Sequence, residues 1–215
     1  MTHRSYDDAC GAALAMDAIG ERWALLVVRE LVFGPKRFGD LRTGLPKASQ
    51  NVLSQRLKEL EASGVVERVE LGPPASTHAY QLTERGHQLE PVLLALSRWG
   101  AHIPASPDTG MSTDAFMLLL KALYFPPADA TPTMAIRLLV GADSFDARVQ
   151  PGSVDIRRSA AGDVDATVRA PVPVLLGLIF SGATLASGAE AGVLEATGDL
   201  AAAQQFFTLF RVPQT

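Results

Sequence analysis

The sequence predicts a mixed architecture in two parts. The first is a mostly α domain that contains one β-hairpin. The second is an α+β domain whose mainly antiparallel sheet is covered by helices. Apolar side chains recur at helical spacing through residues 5–63, and Gly and Pro interrupt them. Residues 105–112 are rich in Pro, Ser, Gly and Asp and have no periodicity, as in a linker. Short β-prone runs follow it, so we predict domains over 1–104 and 113–215.

In the first domain, helices are favoured where apolar residues repeat every three or four positions and where Gly or Gly-Pro ends the run. Two short β-prone runs on either side of a Pro- and Gly-rich loop predict a hairpin, and Thr83 is a good N-cap for the helix after it. The predicted helices are 5–19, 21–33, 37–43, 48–63 and 84–100, and the hairpin strands are 65–71 and 78–83. This order is that of a winged helix-turn-helix.

In the second domain, apolar helices flank four β-prone runs that are separated by Gly and Asp turns. Asp199 is a plausible N-cap for the closing helix. The predicted helices are 113–125, 172–182 and 199–210, and the predicted strands are 134–140, 144–149, 153–158, 164–169 and 192–198.

The stretch KASQNVLSQRLKEL (47–60) has two unlike faces on a helical wheel. Leu53, Leu57 and Leu60 form a core stripe, and Arg56 lies near it, so we expect Arg56 to pair with a structural carboxylate. The opposite side carries amides and hydroxyls, which suit base edges in the major groove. The predicted base-reading residues are Ser49, Gln50, Asn51, Ser54 and Gln55. For Ser49, a role as the N-cap of the helix is the open alternative.

The net charge of −4 argues weakly against nucleic-acid binding, but the charge is uneven. Between Lys36 and Lys58 six basic residues face the single acid Asp40, which predicts a patch that holds phosphates without reading sequence. The predicted phosphate contacts are Lys36, Arg37, Arg42, Lys47 and Lys58. The predicted wing residues are Ser76, Thr77 and His78, in a loop whose tip lacks Arg and Lys.

Several linked motifs resemble those of the HxlR-type winged-helix regulators, relatives of the MarR group. They are Gly20-x-x-Trp23, Arg37-Phe38-x-x-Leu41, Leu53-Ser54-x-Arg56-Leu57-Lys58-x-Leu60, Tyr80-x-Leu82-Thr83-x-x-Gly86 and Trp99-Gly100. The resemblance spans roughly residues 10–100. It implies a homodimeric repressor or activator that binds double-stranded DNA and whose terminal helices form the dimer.

Residues 113–210 resemble the sterol carrier protein fold, through VDATVRAPVPVLLGLIFSG and GVLEATGDLAAAQQFFTLF. This resemblance implies an apolar tunnel for lipid-like ligands, and a helix that is apolar all round is consistent with a cavity or a buried interface. The predicted pocket residues are Leu175, Leu178, Ile179, Phe180, Phe206, Phe207 and Phe210. A filled core or a dimer interface is the alternative.

Cys10, the single cysteine, is either a small buried hydrophobe or a redox-sensing thiol, although no Lys or Arg adjoins it to lower its pKa. The four histidines lack metal-ligand spacing, and no catalytic or nucleotide-binding motif is present, so we expect no enzyme activity, metal or cofactor. No apolar run is long enough to span a membrane, and the expected location is cytoplasmic.

The function predicted from these features is that of a homodimeric transcriptional regulator of an inverted-repeat operator. An apolar ligand in the C-terminal domain is expected to modulate it. The competing prediction is a carrier of lipids or other hydrophobes in which the N-terminal domain only dimerises. The basic patch and the amide-rich face of the predicted recognition helix separate the two, since a carrier needs neither.

Overall fold

The computed structural model describes residues 5–72, 77–104, 106, 109–125, 132–160 and 162–212. The chain divides into two compact units, residues 1–93 and 94–215, and helix α6 spans the division. The helices of the first part are α1 (Gly11–Ile19), α2 (Ala24–Leu31), α3 (Phe38–Gly44), α4 (Gln50–Ala62), α5 (Glu84–His87) and α6 (Glu90–Gly100). Its strands are β1 (Val66–Leu71) and β2 (Thr77–Leu82).

The core of the first unit forms where α2 and α4 pack together. Leu53, Leu57 and Leu60 of α4 are buried as predicted, and Val27 and Leu31 of α2 are fully buried. Burying each such side chain contributes about 1.5–3 kcal/mol to folding. The apolar stripe therefore fixes which face of α4 remains outside.

The hairpin is antiparallel, from Val66 opposite Leu82 to Leu71 opposite Thr77. Lys36 adds an isolated bridge to Tyr80, with both backbone hydrogen bonds under 3 Å. The chain segment before α3 is thereby held to the wing. This element order, with its hairpin after α4, is that of the predicted winged helix-turn-helix.

Hydrogen bonds of Thr83 connect the end of α4 to α5, the helix after the wing. The Thr83 hydroxyl donates to the carbonyl of Gly64 at 2.7 Å and accepts from the N–H of Gly86 at 3.0 Å, as the predicted N-cap. A Cβ at Gly86 would overlap the carbonyl of Val65. The close approach of two backbones explains why a glycine stands three residues after Thr83.

Two helix boundaries differ from the predicted ones. The predicted helix 5–19 begins only at Gly11, because residues 5–10 fold back on it: Asp17 accepts hydrogen bonds from the Ser5 hydroxyl and the Tyr6 N–H. The predicted helix 84–100 is broken into α5 and α6. Pro91 lies in the first turn of α6, where a missing N–H is tolerated, so the second helix starts there.

The second part contains a five-stranded sheet in the order β5-β4-β3-β6-β7. The strands are β3 (Met134–Val140), β4 (Asp143–Gln150), β5 (Ser153–Arg158), β6 (Ala166–Arg169) and β7 (Glu195–Gly198). The helices are α7 (Thr113–Leu123), α8 (Val172–Phe180), α9 (Leu185–Glu190) and α10 (Leu200–Phe207). Three of the four strand pairings are antiparallel, as predicted, and β3 pairs with β6 in parallel.

Helix α10 packs on β3 and β6, and α7 packs on β5. Asp199 caps α10 as predicted, its carboxylate accepting from the N–H of Ala202 at 2.9 Å. The short helix α9 was not predicted from the sequence, because six residues give too few turns for a periodicity. Among the described residues, no helix combines the length and apolar character that a membrane span requires.

Candidate nucleic-acid interface

Helix α4 is held at its start by its own side chain. Ser49 has the extended backbone of an N-cap, and its hydroxyl oxygen accepts from the N–H of Val52 at 3.4 Å. The capping alternative for Ser49 is therefore the one observed, and only its O–H remains to donate to a partner outside the helix.

The outward face of α4 displays the predicted amides to different extents. Gln50 and Asn51 are exposed, whereas Ser54 and Gln55 are half-buried. The Nε2 of Gln55 donates to Glu59 at 2.7 Å. The first turn of α4 thus offers two exposed amide side chains, which are the side-chain types that pair with adenine in the major groove.

Arg56 lies on the structural side of α4, as its place on the wheel indicated. Its guanidinium is 13% exposed, and its NH1 lies 2.6 Å from the carboxylate of Glu59 and 3.4 Å from that of Glu21. Arg56 NH2 adds a hydrogen bond to Glu59 at 3.1 Å. The pairing carboxylates are supplied by the next turn of α4 and by the residue after Gly20.

The prediction that Lys36 contacts phosphate needs correction. Its ammonium is 11% exposed and lies 2.8 Å from the carboxylate of Glu30, which is fully buried. Arg29 binds the same carboxylate at 2.7 Å. The Lys36 ammonium cannot reach a phosphate without breaking its ion pair with the buried Glu30 carboxylate, so we remove Lys36 from the phosphate-contacting set.

The Glu30 carboxylate also explains the turn between α3 and α4. A Cβ at Gly44 would overlap that carboxylate, so the turn can pass over the buried pair only with glycine at this position. The same carboxylate that pairs with Lys36 is therefore in close contact with the end of α3.

The other predicted phosphate contacts lie at the surface. Arg37, Arg42, Lys47 and Lys58 are exposed, the first two at the ends of α3 and the last two around α4. Asp40, the single acid of the patch, accepts from the backbone N–H of Arg37 at 3.1 Å. Asp40 is also exposed, but its carboxylate is held at the start of α3, and four exposed cations surround it.

In the wing, Ser76 lies outside the described residues, Thr77 is half-buried and His78 is exposed opposite Glu70. The Nδ1 of His78 is 3.9 Å from the Glu70 carboxylate. Sequence reasoning looked for a cation at the wing tip and missed Arg68, which is exposed on β1. The alternation of a strand could not have identified it, because Glu67 and Arg68 are exposed in succession.

Cys10 is exposed at the N-cap of α1 rather than buried. The backbone N–H groups of Ala13 and then Ala12, at the start of α1, lower the pKa of its thiol below the usual value. The start of the helix thus lowers the thiol pKa, as an adjacent Lys or Arg would. A search of the sequence for basic neighbours could not detect this effect. A redox role for Cys10 stays a prediction.

Three of the seven predicted apolar pocket residues pack against one another. Phe206 is fully buried, with its ring centroid 5.2 Å from that of Phe207 and 4.9 Å from that of Phe210. Leu175 and Leu178 are buried, Ile179 is half-buried and Phe180 is 46% exposed. This packing favours the filled-core alternative for these side chains.

A separate apolar groove lies between α9, β7 and α10 and has a volume of about 500 Å³. None of its lining side chains is charged: Thr184, Leu185, Ala186, Ala189, Ala196, Leu200, Ala201 and Gln204. The Gln204 amide oxygen accepts from the N–H of Leu185 at 2.8 Å and holds α9 against α10. The sequence did not predict this groove because it depends on the unpredicted helix α9.

Comparison with known proteins identifies relatives of the first part of the chain. The HxlR-like helix-turn-helix family matches residues 18–106. The uncharacterized HTH-type transcriptional regulator YvaP of Bacillus subtilis (strain 168) is 41% identical over 85 residues, which are 40% of this chain and 79% of YvaP. The HTH-type transcriptional regulator YodB of the same organism is 37% identical over 95 residues, 44% of this chain and 85% of YodB.

The solved structure of reduced YodB has a TM-score of 0.40 and 35% identity, over 45% of this chain and 95% of that one. Because this chain covers more than two thirds of both YvaP and YodB at over 30% identity, it belongs to the HxlR family of helix-turn-helix transcriptional regulators.

Proposed function

We propose that the chain acts as a homodimer on an inverted-repeat operator, with α4 of each protomer in the major groove. The observation that carries this proposal is the two-faced helix α4, which buries Leu53, Leu57 and Leu60 while Gln50 and Asn51 stay exposed. Two such helices related by a twofold axis reach successive major grooves when the half-sites lie about one helical turn apart.

The exposed side chains have separate roles in this proposal. Gln50 and Asn51 read base edges, Ser54 and Gln55 extend the reading surface, and the Ser49 hydroxyl donates to the backbone or a base. The exposed cations bind phosphates and set the register: Arg37, Arg42, Lys47 and Lys58, with Arg68 as the contact from the wing. Thr77 and His78 lie beside the DNA at the loop end of the hairpin.

Exposed apolar side chains support the proposed dimer. Helix α1 exposes Leu14 and Met16, and α6 exposes Leu96 together with Trp99, which is 71% exposed. Large apolar side chains that stay exposed on a helix are typical of a surface that packs against a partner. The two terminal helices of the DNA-binding part are therefore the proposed dimer interface.

The C-terminal part, which resembles the sterol carrier fold in sequence, is proposed to bind an effector. The groove between α9, β7 and α10 has the volume of a small-molecule site and an uncharged lining, which fits a neutral apolar molecule. A ligand there can change DNA binding only if it binds one spacing of the recognition helices better than another. The carrier hypothesis shares this site but requires no DNA binding.

Selection of bound DNA from a random duplex pool, with and without a crude lipid extract, tests the proposal. Enrichment of an inverted repeat with half-sites about 10 base pairs apart is the expected result. A protein that enriches no sequence and passes through heparin at low salt would instead be the carrier. A change in enrichment on adding the extract would show ligand coupling.

Arg37→Ala should weaken binding to all DNA sequences and flatten the salt dependence, with the slope of log K against log salt falling by about 1. The matched control is Arg157→Ala, which removes the same charge from an exposed position on β5. Titrations at several salt concentrations measure both. An equal slope for Arg37→Ala and the parent protein would remove Arg37 from the phosphate-contacting set.

Ala189→Phe should fill the groove and weaken binding of a neutral dye such as Nile red by about tenfold, because the added ring occupies the volume the dye needs. Ala191→Phe is the control, since Ala191 is exposed beyond the end of α9 and does not line the groove. Fluorescence titration gives both affinities. Equal dye binding by the two variants would contradict a site in this groove.

A further inference from the structure

A connected set of polar side chains runs from the outward face of α4 to the end of α1. Gln55 donates to Glu59 at 2.7 Å, and Arg56 binds the same carboxylate through NH1 at 2.6 Å and NH2 at 3.1 Å. Arg56 NH1 also lies 3.4 Å from Glu21, which follows Gly20 at the end of α1. We call these four residues the Glu59 cluster. The proposed base-reading and phosphate-binding roles make no use of Glu59, Arg56 or Glu21.

The chemistry of Glu59 fixes one property of Gln55. An ionised carboxylate only accepts hydrogen bonds, so it binds the nitrogen of the Gln55 amide and never the oxygen. The oxygen and the nitrogen of a glutamine amide exchange places when the last torsion angle of the side chain rotates. Held by Glu59, the Gln55 amide has one orientation, and its donor and acceptor ends are no longer interchangeable.

Arg56 fixes Glu59 in turn. The guanidinium is 13% exposed and bridges Glu59, on its own helix, to Glu21 on a different element. Arg56 NH2 donates to Glu59, whereas NH1 lies between the two carboxylates as an ion pair and makes no hydrogen bond to either. A lysine has no second nitrogen for this arrangement. The orientation of Gln55 therefore depends on the α1–α2 turn as well as on α4.

We infer that Glu59 is a positioning residue for DNA sequence recognition: it sets the orientation of the Gln55 amide, and Arg56 anchors it to Glu21 at the end of α1. This inference rests on the proposed function, in which Gln55 faces DNA. A side chain pre-oriented before binding discriminates between donor and acceptor base edges better than one that can turn over. Glu59 itself touches no base in this arrangement.

Glu59→Gln is the direct test. It keeps the shape of the side chain, but an amide can pair with Gln55 in either orientation, so the fixed orientation is lost. The ratio of affinity for the selected operator to affinity for random DNA should fall by about fivefold or more. Glu61→Gln is the matched control, because it removes an equal charge from α4 at a position that makes no side-chain hydrogen bond or ion pair with the described residues.

Two further variants separate positioning from general structure. Glu21→Gln removes the anchor from another element, at a carboxylate that is 59% exposed, and should lower the ratio in the same direction by a smaller factor. In a Gln55→Ala background, Glu59→Gln should have no further effect on the ratio, because the side chain it orients is gone. Arg56→Lys should give a lower ratio of operator affinity to random-DNA affinity than the parent protein.

The measured ratios distinguish a positioning role of Glu59 from a charge effect and from a structural role. A ratio lowered by Glu59→Gln and not by Glu61→Gln, with the effect lost in Gln55→Ala, supports the inference. Equal effects of Glu59→Gln and Glu61→Gln would show a simple charge effect. An equal loss of affinity for operator and random DNA, together with a lower melting temperature, would show a purely structural role. Either result overturns the inference. A parent protein that prefers no sequence overturns the proposed function, and the inference falls with it.

Discussion

Glu30→Ala should destabilise the N-terminal unit by about 3–5 kcal/mol, the largest effect we expect from one substitution in this chain. The carboxylate is fully buried and binds both Lys36 and Arg29, so its loss leaves the Lys36 ammonium in a nearly dry site without its counter-charge. Urea unfolding followed by the fluorescence of Trp23, in a Trp99→Phe background that leaves one tryptophan, measures the change for this unit.

The double variant Glu30→Leu with Lys36→Met distinguishes the unpaired charge from the lost packing. Replacing both partners by apolar side chains removes the buried charge together with its counter-ion, so this variant should be more stable than Glu30→Ala alone. If the double variant were the less stable of the two, or if Glu30→Ala cost less than about 1 kcal/mol, the buried pair would not be what holds this region.

The same pair shows what the sequence could not reveal about the basic patch. In the sequence, Lys36 is one cation among six between positions 36 and 58, and nothing in its spacing separates it from Arg37. The structure separates them, because Lys36 bridges to Tyr80 through its backbone and turns its ammonium toward Glu30. Its partner Glu30 lies on α2, whereas Lys36 lies between α2 and α3, so no helical periodicity links the two residues. Arg37 is exposed and needs no such partner.

Features governed by local chemistry were predictable from the sequence. The buried stripe of α4 follows from a 3.6-residue period, and the caps at Ser49, Thr83 and Asp199 follow from side chains that accept a backbone N–H. Features governed by contacts distant in sequence were not. The fold-back of residues 5–10 depends on Asp17, and the apolar groove depends on how α9 meets α10.

The same division applies to the interface. The helical wheel was sufficient to place Asn51 outward, with Gln50 at the edge of that face, and to assign Arg56 to a structural carboxylate. It could not show that Gln55 donates to Glu59, because two side chains one turn apart on a helix pair in some proteins and not in others. Within the described residues, the exposed first turn of α4 is therefore the part of the proposed reading surface that is least engaged in side-chain hydrogen bonds.

Gln50→Ala or Asn51→Ala should each cost about 1–3 kcal/mol at the selected operator, or about 5- to 150-fold in affinity, and little on random DNA. Both amides are exposed in the first turn of α4, the end of a recognition helix that contacts base edges. Loss of an amide that pairs with adenine should also relax the preference at one base-pair position of each half-site.

Gln88→Ala is the control for this pair, since Gln88 is an exposed amide at the end of α5, outside α4. It should leave both affinities unchanged. Competition titrations with operator and random duplexes, at one fixed salt concentration, measure specific and non-specific binding in the same solution. If Gln50→Ala and Asn51→Ala weakened both duplexes equally, the amides would be binding the DNA backbone, and base reading would have to be assigned to the half-buried Ser54 and Gln55 of the next turn.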